Sequence, residues 1–295
     1  MMTAQRQEKA EQSREHVEQL MGVPLGTVWT ILRELISQAS KDIMLPKFGL
    51  HQYQHDVSVK ADKSLVTLAD KQMQHHVMEA LSRYFPLIPI LGEEHSESEQ
   101  HSVISQLDNA AWVLDPIDGT GNFAAGIPYF CTSLALVVKG EVVLGIVHDP
   151  CRDETFFAFK GYGAHLNGEP LAAQKNPEDL LSDTMALVDF KRLPSDLVAT
   201  LVTDPPYRSQ RSFGASALDW CWIATSRCQI YLHGSQMLWD YAAGKLILEE
   251  AGGESSTFEE SEPQTLSLMP RSVVAACDPQ RYKAWKDWLQ SHQNA

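Results

Sequence analysis

The 295-residue chain is 44% hydrophobic and carries a formal net charge of −14, the composition of a globule large enough for one α/β unit or two lobes sharing a core. That negative balance argues against nucleic acid or an anionic membrane surface as partner, since both are gripped by clustered Lys and Arg. No apolar run approaches 18 residues and the first twenty have no signal-like apolar core, so a cytoplasmic location is expected.

Residues 1–25 form a polar arm, read as a solvated helix or a frayed segment with no chemistry in it. From about 26 to 43, and again in "LADKQMQHHVMEALSRYF" after Thr67, apolar residues recur at helical spacing. Between these helices "VSVKADKSLVT" alternates like a strand hairpin. "LIPILGEE" and "AWVLDPID" are short apolar runs that stop at carboxylates, the strand-end placement at which α/β proteins build sites. "TSLALVVKG", "VVLGIVHD", "TFFAFKG" and "GAHLNGEPL" suggest an antiparallel meander. Beyond about 180 the pattern returns to alternating strand and helix: "MALVDF", "ASALDWCWIATSR", "QIYLHG", "WDYAAGKLILEEAGG", "SVVAAC" and a last amphipathic helix over 279–292. The expected fold is α/β with layered sheets and helices, divided near 180 into a half from 26 to 180 and a half from 181 to 295. The five cysteines form no C-x-x-C pair and read as reduced thiols in packing positions.

Carboxylates collect at element ends: Asp70, Glu93, Glu94, Asp115, Asp118 and Asp240. Converging without cations they would repel one another, whereas hard divalent ions such as Mg²⁺ take oxygen ligands and neutralise them. Taken singly, each is equally a loop end or helix cap; Asp70, for instance, opens a helix. "DPIDGT" at 115–120 is more specific. Pro116 fixes the backbone between two aspartates, and the Ile117 carbonyl adds a third oxygen donor. Gly119 allows close approach to a ligand, and the N–H groups of Gly119 and Thr120 suit a phosphate oxygen. "GTGNFA" also imitates a dinucleotide fingerprint, but Asp115 and Asp118 would then face the pyrophosphate. Trp220 and Trp222, which might stack a nucleotide, lie on an apolar helix and are expected to pack the core or a dimer interface.

"VKADKSLVTLAD" at 59–70, "GEE" at 92–94, "DPIDGT" at 115–120, and "WDYAAG" at 239–244 with "EEAGG" at 249–253 together resemble the inositol monophosphatase family of metal-dependent sugar and inositol phosphatases, in that family's order. The resemblance implies an αβαβα sandwich, two or three Mg²⁺ per site, lithium inhibition and a homodimer. It implies Glu93, Asp115 and the Ile117 carbonyl as ligands of one metal, and Asp115, Asp118 and Asp240 as ligands of a second. Glu93 matches the holder of a third, weaker metal. Asp70 and Thr120 match the pair that orients the attacking water, Gly119 and Thr120 the phosphate-binding backbone, and Lys60 and Glu94 supporting positions. The implied reaction is direct attack of a metal-bound water on a small polyol, sugar or amino-alcohol phosphate. Histidinol phosphate, fructose 1,6-bisphosphate and adenosine 3′,5′-bisphosphate are alternative substrates, and a non-catalytic metal-binding scaffold is the alternative from another class.

The pattern departs at two places. His233 stands seven residues before Asp240, where inositol phosphatases of the family carry a glutamate; an imidazole cannot accept from two hydroxyls as a carboxylate does. His233 is thus either a substrate contact or a bystander, with Gly214 and Ser216 as further candidate contacts to the alcohol alongside Asp118. Gly121 replaces the commoner Thr or Lys after "DGT".

Overall fold

The computed structural model describes residues 4–49, 57–59, 65–105, 109–171, 181–258 and 266–292. In chain order these form α1 (Ala4–Met21), α2 (Leu25–Ala39), β1 (Val57–Val59), β2 (Leu65–Thr67), α3 (Leu68–Tyr84), β3 (Ile90–Gly92), α4 (Glu97–Ile104), β4 (Ala110–Asp118) and α5 (Thr120–Ala125). There follow β5 (Cys131–Val138), β6 (Glu141–Asp149), β7 (Glu154–Phe159), β8 (Ala164–Leu166) and β9 (Glu169–Leu171). The second half supplies β10 (Met185–Asp189), α6 (Ser195–Thr203), β11 (Ser209–Arg211), α7 (Ser216–Ala224) and β12 (Ile230–Gln236). It ends with α8 (Leu238–Glu250), β13 (Glu254–Ser256), β14 (Arg271–Ala276) and α9 (Pro279–His292).

The first large sheet has the order β3-β4-β5-β6-β7-β8-β9; β3 and β4 run parallel and the remaining neighbours antiparallel. The second has the order β11-β10-β12-β14-β13, with β10 parallel to both β11 and β12. Side chains alternate across a strand, and on β4 both sets are apolar. Trp112 and Leu114 pack outward with Leu32 and Ile36 of α2 and with Met73 and Val77 of α3. Ala111 and Val113 pack inward with Trp220 of α7 and Leu246 of α8, in a cluster that also takes Leu187, Tyr231 and Ala275 from the second sheet. The outer face of that second sheet, including Val188, Leu232 and Val274, is covered by Leu197 and Leu201 of α6 and Trp285 and Leu289 of α9. The layers are therefore α, β, α, β, α, and a strand buried on both faces reads as an unbroken apolar run.

One sequence reading changes. The N-terminal arm is a helix docked on the core: Ala10, Val17 and Met21 are buried, at spacings of seven and four that place them on one face. The "WDYAAG" helix is set close to its neighbours by glycine. A Cβ on Gly244 would lie 2.5 Å from Trp220 Cβ, and one on Gly145 of β6 would lie 2.7 Å from the Ala243 carbonyl oxygen.

Candidate metal and phosphate site

The site begins with an irregularity in β4. Asp115 and Asp118 are three residues apart, so a regular strand would turn them to opposite faces. The pairing with β5 instead steps from Asp115↔Ser133 to Asp118↔Cys131, three residues against two, which is a bulge at Pro116, the residue without an N–H for the ladder. Thr132 Oγ1 donates to the Pro116 carbonyl at 2.9 Å and holds the bulge. Both aspartates consequently face the same side and are buried.

Other elements converge on this pair. The parallel pairing of β3 with β4 continues as Glu93 N–H donating to the Leu114 carbonyl at 3.0 Å, which brings the Glu93 side chain to hydrogen-bond Asp115. Asp240 lies in the first turn of α8, where its Oδ2 accepts the Met237 N–H at 2.8 Å. Asp115, Asp118 and Asp240 each offer a carboxylate oxygen within 4.8 Å of the others. Asp118 is also aimed from behind: its Oδ2 accepts the Ala217 N–H at 2.6 Å at the start of α7, and the Ser216 backbone also favours its carboxylate.

The loop after β4 carries the second half of the site. Gly119 has φ +89°, and a Cβ there would lie 3.0 Å from Ala215 Cβ and 3.1 Å from the Tyr129 carbonyl oxygen, so only glycine fits. Thr120 Oγ1 is 3.0 Å from Asp70 Oδ1 and 3.0 Å from the Ile117 carbonyl oxygen. Asp70 is itself fixed, its Oδ2 accepting from both the N–H (2.8 Å) and the hydroxyl of Thr67. This capping box explains why "TLAD" opens α3 where it does.

The electrostatics are those of converging buried acids. Burial pushes the Asp70 carboxyl up to about 6 and the Asp118 carboxyl up to about 7. Asp115 and Asp240 are held well above the usual carboxylate range, by burial first and by the neighbouring acids second. Asp115 Oδ1 is buried and has no hydrogen-bond partner. An orphaned, acceptor-only oxygen among converging acids suits a hard divalent cation, which supplies the missing positive partner.

The remaining predicted residues fall as follows. Lys60 lies outside the described residues. Glu94 is held through its backbone, its N–H donating to Gln74 Oε1 at 2.9 Å. Gly214 is exposed with φ +83°, and its nearest neighbour across the loop is the Asn122 side chain. The Ser216 hydroxyl bonds to Tyr231. Gly121 is open on all sides. Trp220 is buried and donates Nε1–H to Gln236 Oε1 at 3.0 Å, while Trp222 packs edge-on against Tyr129 and Phe213; both serve packing.

His233, either a substrate contact or a bystander on the sequence, lies on β12 and is buried. Its Nε2 stands 3.0 Å from Asp189 Oδ2, and its Nδ1 accepts the Ser235 N–H at 3.1 Å. The second contact leaves the proton on Nε2, so both nitrogens are committed within the protein.

Sequence reasoning missed the groups behind the aspartates. Asp219, one turn into α7, accepts the Tyr129 hydroxyl at 2.7 Å and has its carboxyl raised to about 8 by burial. An acid within the apolar run "ALDWCWIA" was the available signal.

A model of the inositol monophosphatase family matches residues 26–294. Inositol monophosphatase 1 of Solanum lycopersicum is 31% identical over 276 residues, covering 90% of this chain and 96% of that one. The fructose-1,6-bisphosphatase/inositol-1-monophosphatase of Thermotoga maritima is 33% identical over 207 residues, covering 70% and 76%. Among solved structures, the extragenic suppressor protein suhB of Bartonella henselae superposes with a TM-score of 0.76 at 26% identity, covering 88% of this chain and 97% of that one. With the layered fold and the acid cluster already in place, these likenesses show that the chain belongs to the inositol monophosphatase family of phosphoric monoester hydrolases.

Proposed function

We propose that this protein hydrolyses the phosphate monoester of a small polyol, sugar or amino alcohol, with divalent cations held by Glu93, Asp115, the Ile117 carbonyl, Asp118 and Asp240. The observation that carries the reading is the buried, unpartnered Asp115 Oδ1 beside two further carboxylates within 4.8 Å. When bound, Mg²⁺ at such a site neutralises the acids, polarises phosphoryl oxygens and acidifies water.

The chain's own groups supply the rest. Thr120 has one hydroxyl proton and two acceptors at 3.0 Å. When it donates to Asp70, its lone pairs are left to take the hydrogen bond of an incoming water, aligning that water's oxygen on phosphorus. As the water gives its proton to the Thr120 oxygen, the Thr120 hydroxyl proton passes to Asp70, whose carboxyl, raised to about 6, can hold it near neutral pH. The N–H groups of Gly119 and Thr120 would donate to phosphoryl oxygens, and no side-chain nucleophile is required. The reading includes a cytoplasmic homodimer using two or three Mg²⁺ per site and sensitive to lithium, as the family resemblance implies. Among the described residues no helix is long and apolar enough to cross a membrane.

The test is inorganic phosphate release from inositol 1-phosphate, histidinol phosphate, fructose 1,6-bisphosphate and adenosine 3′,5′-bisphosphate. Turnover of at least one with Mg²⁺, lost in EDTA, is the expected result. No turnover of any would count against the reading.

A further inference from the structure

The structure assigns Arg192 as the residue that selects a substrate bearing a second anionic group, a phosphate or carboxylate, remote from the phosphate being cleaved. The inference rests on the phosphatase reading above and concerns the side of the site that the family motifs leave unspecified.

Arg192 follows β10 on a short turn and is held in place at two points. Its backbone lies against Gly234 of β12, where an added Cβ would come within 1.8 Å of the Arg192 carbonyl oxygen. Its Nη1 donates to the Ser235 carbonyl at 2.9 Å. Ser235 lies where the pairing of β12 with β14 shifts register, five residues before Asp240. The guanidinium therefore hangs on the strand that leads directly into the acid cluster.

Its charge is available. Arg152, Arg227 and Arg281 pair with Asp149, Glu154 and Asp278, whereas Arg192 is exposed and has no carboxylate within 4.0 Å among the described residues. Asp189, three residues earlier, pairs with His233 on β12, so Arg192 follows the strand end beside which β12 runs on toward Asp240. The donors for the scissile phosphate, Gly119 and Thr120, lie on the β4 side. Asp189 does not cancel the guanidinium by contact, because its Oδ2 faces His233 and its Oδ1 accepts the Lys191 N–H at 2.8 Å.

On the same wall the His233 acceptor is taken by Ser235 and is not free for a polyol hydroxyl. Beside it stands a planar cation with unused N–H donors, the geometry that matches phosphate and carboxylate. In a chain of net charge −14, a fixed local cation is also what a doubly anionic substrate needs for entry.

Two matched substrate pairs test this. Fructose 1,6-bisphosphate against fructose 1-phosphate isolates a second phosphate, and 3-phosphoglycerate against glycerol 3-phosphate isolates a carboxylate. The wild type should favour the doubly anionic member of at least one pair in kcat/KM, and whichever pair responds identifies the anion. Arg192→Gln should reduce that preference about tenfold or more, chiefly through KM, with Arg192→Lys recovering part of it. Equal kcat/KM within both wild-type pairs, or a preference unchanged in Arg192→Gln, would overturn the inference while leaving the phosphatase reading intact. Failure of the wild type to turn over any of the four with Mg²⁺, or any of the substrates named above, would remove both.

Discussion

Replacing Asp118 with Asn separates the cost of the acid cluster from its use. In the metal-free protein the Asp118 carboxyl is raised from 3.8 to about 7, which corresponds to about 4 kcal/mol of preference for the neutral form. Because the folded value lies above the unfolded one, this group supports the fold fully below pH 3.8, and that support is lost as pH rises through about 7. Asparagine keeps the size and stays neutral. Its carbonyl can still accept the Ala217 N–H that Asp118 Oδ2 accepts at 2.6 Å. At pH 8 without metal, Asp118→Asn should therefore be more stable than wild type, by about 1–3 kcal/mol after solvent relaxation within the cluster is allowed for, or several degrees in Tm. Its amide would turn a donor toward Asp115 and Asp240, so stabilisation by Mg²⁺ should shrink and turnover fall at least about a hundredfold. Thermal denaturation with EDTA and with Mg²⁺, read beside phosphate release, checks both halves. A metal-free variant no more stable than wild type, or one that keeps full activity, would refute the electrostatic reasoning.

Further outcomes follow from the same geometry. Mg²⁺ binding at pH 6 should expel protons held by Asp70 and Asp118, raised to about 6 and 7, and the release should be smaller at pH 8, where these two have given up most of theirs; calorimetry in buffers of different ionisation enthalpy measures it. Thr120→Ala should lower kcat about a hundredfold with the Mg²⁺ requirement little changed, and Thr120→Ser should restore most of the rate. Gly119→Ala should cost about 1–3 kcal/mol of stability and most of the activity, since it forces a Cβ into the contacts with Ala215 and Tyr129 at φ +89°. His233→Glu should destabilise the fold, because the new carboxylate would face Asp189 on buried β12; an unchanged Tm would show that the observed pair is not maintained in solution.

The chemistry of β4 was readable because its causes are local. An apolar run that stops at two aspartates around a proline, followed by Gly-Thr, already states a strand end, a close approach to a ligand and a set of oxygen donors. The meander from β5 to β9 was legible for the same reason, since short antiparallel connections make neighbours in sequence into neighbours in space. What stayed hidden depends on contacts made across the chain. The order β11-β10-β12-β14-β13 requires crossovers that no local pattern encodes, and α6 is absent from the elements expected beyond residue 180. The docking of α1 through Ala10, Val17 and Met21 was obscured by the polar residues around them. The setting of position 233 stayed hidden because its partner, Asp189, lies 44 residues earlier and meets it only through the parallel pairing of β10 with β12. Arg192 escaped notice for the same reason: nothing near it in sequence announces that it rests beside Ser235.

The central claim is that these carboxylates exist to hold divalent cations against a phosphate ester, and one titration tests it. Phosphate release from the best substrate should be absent in EDTA and saturate with added Mg²⁺, and Asp115→Asn, which alters the buried oxygen that lacks a partner, should remove the response at all Mg²⁺ concentrations. Release that persists at the same rate without divalent metal, or a normal Mg²⁺ response in Asp115→Asn, would contradict the account.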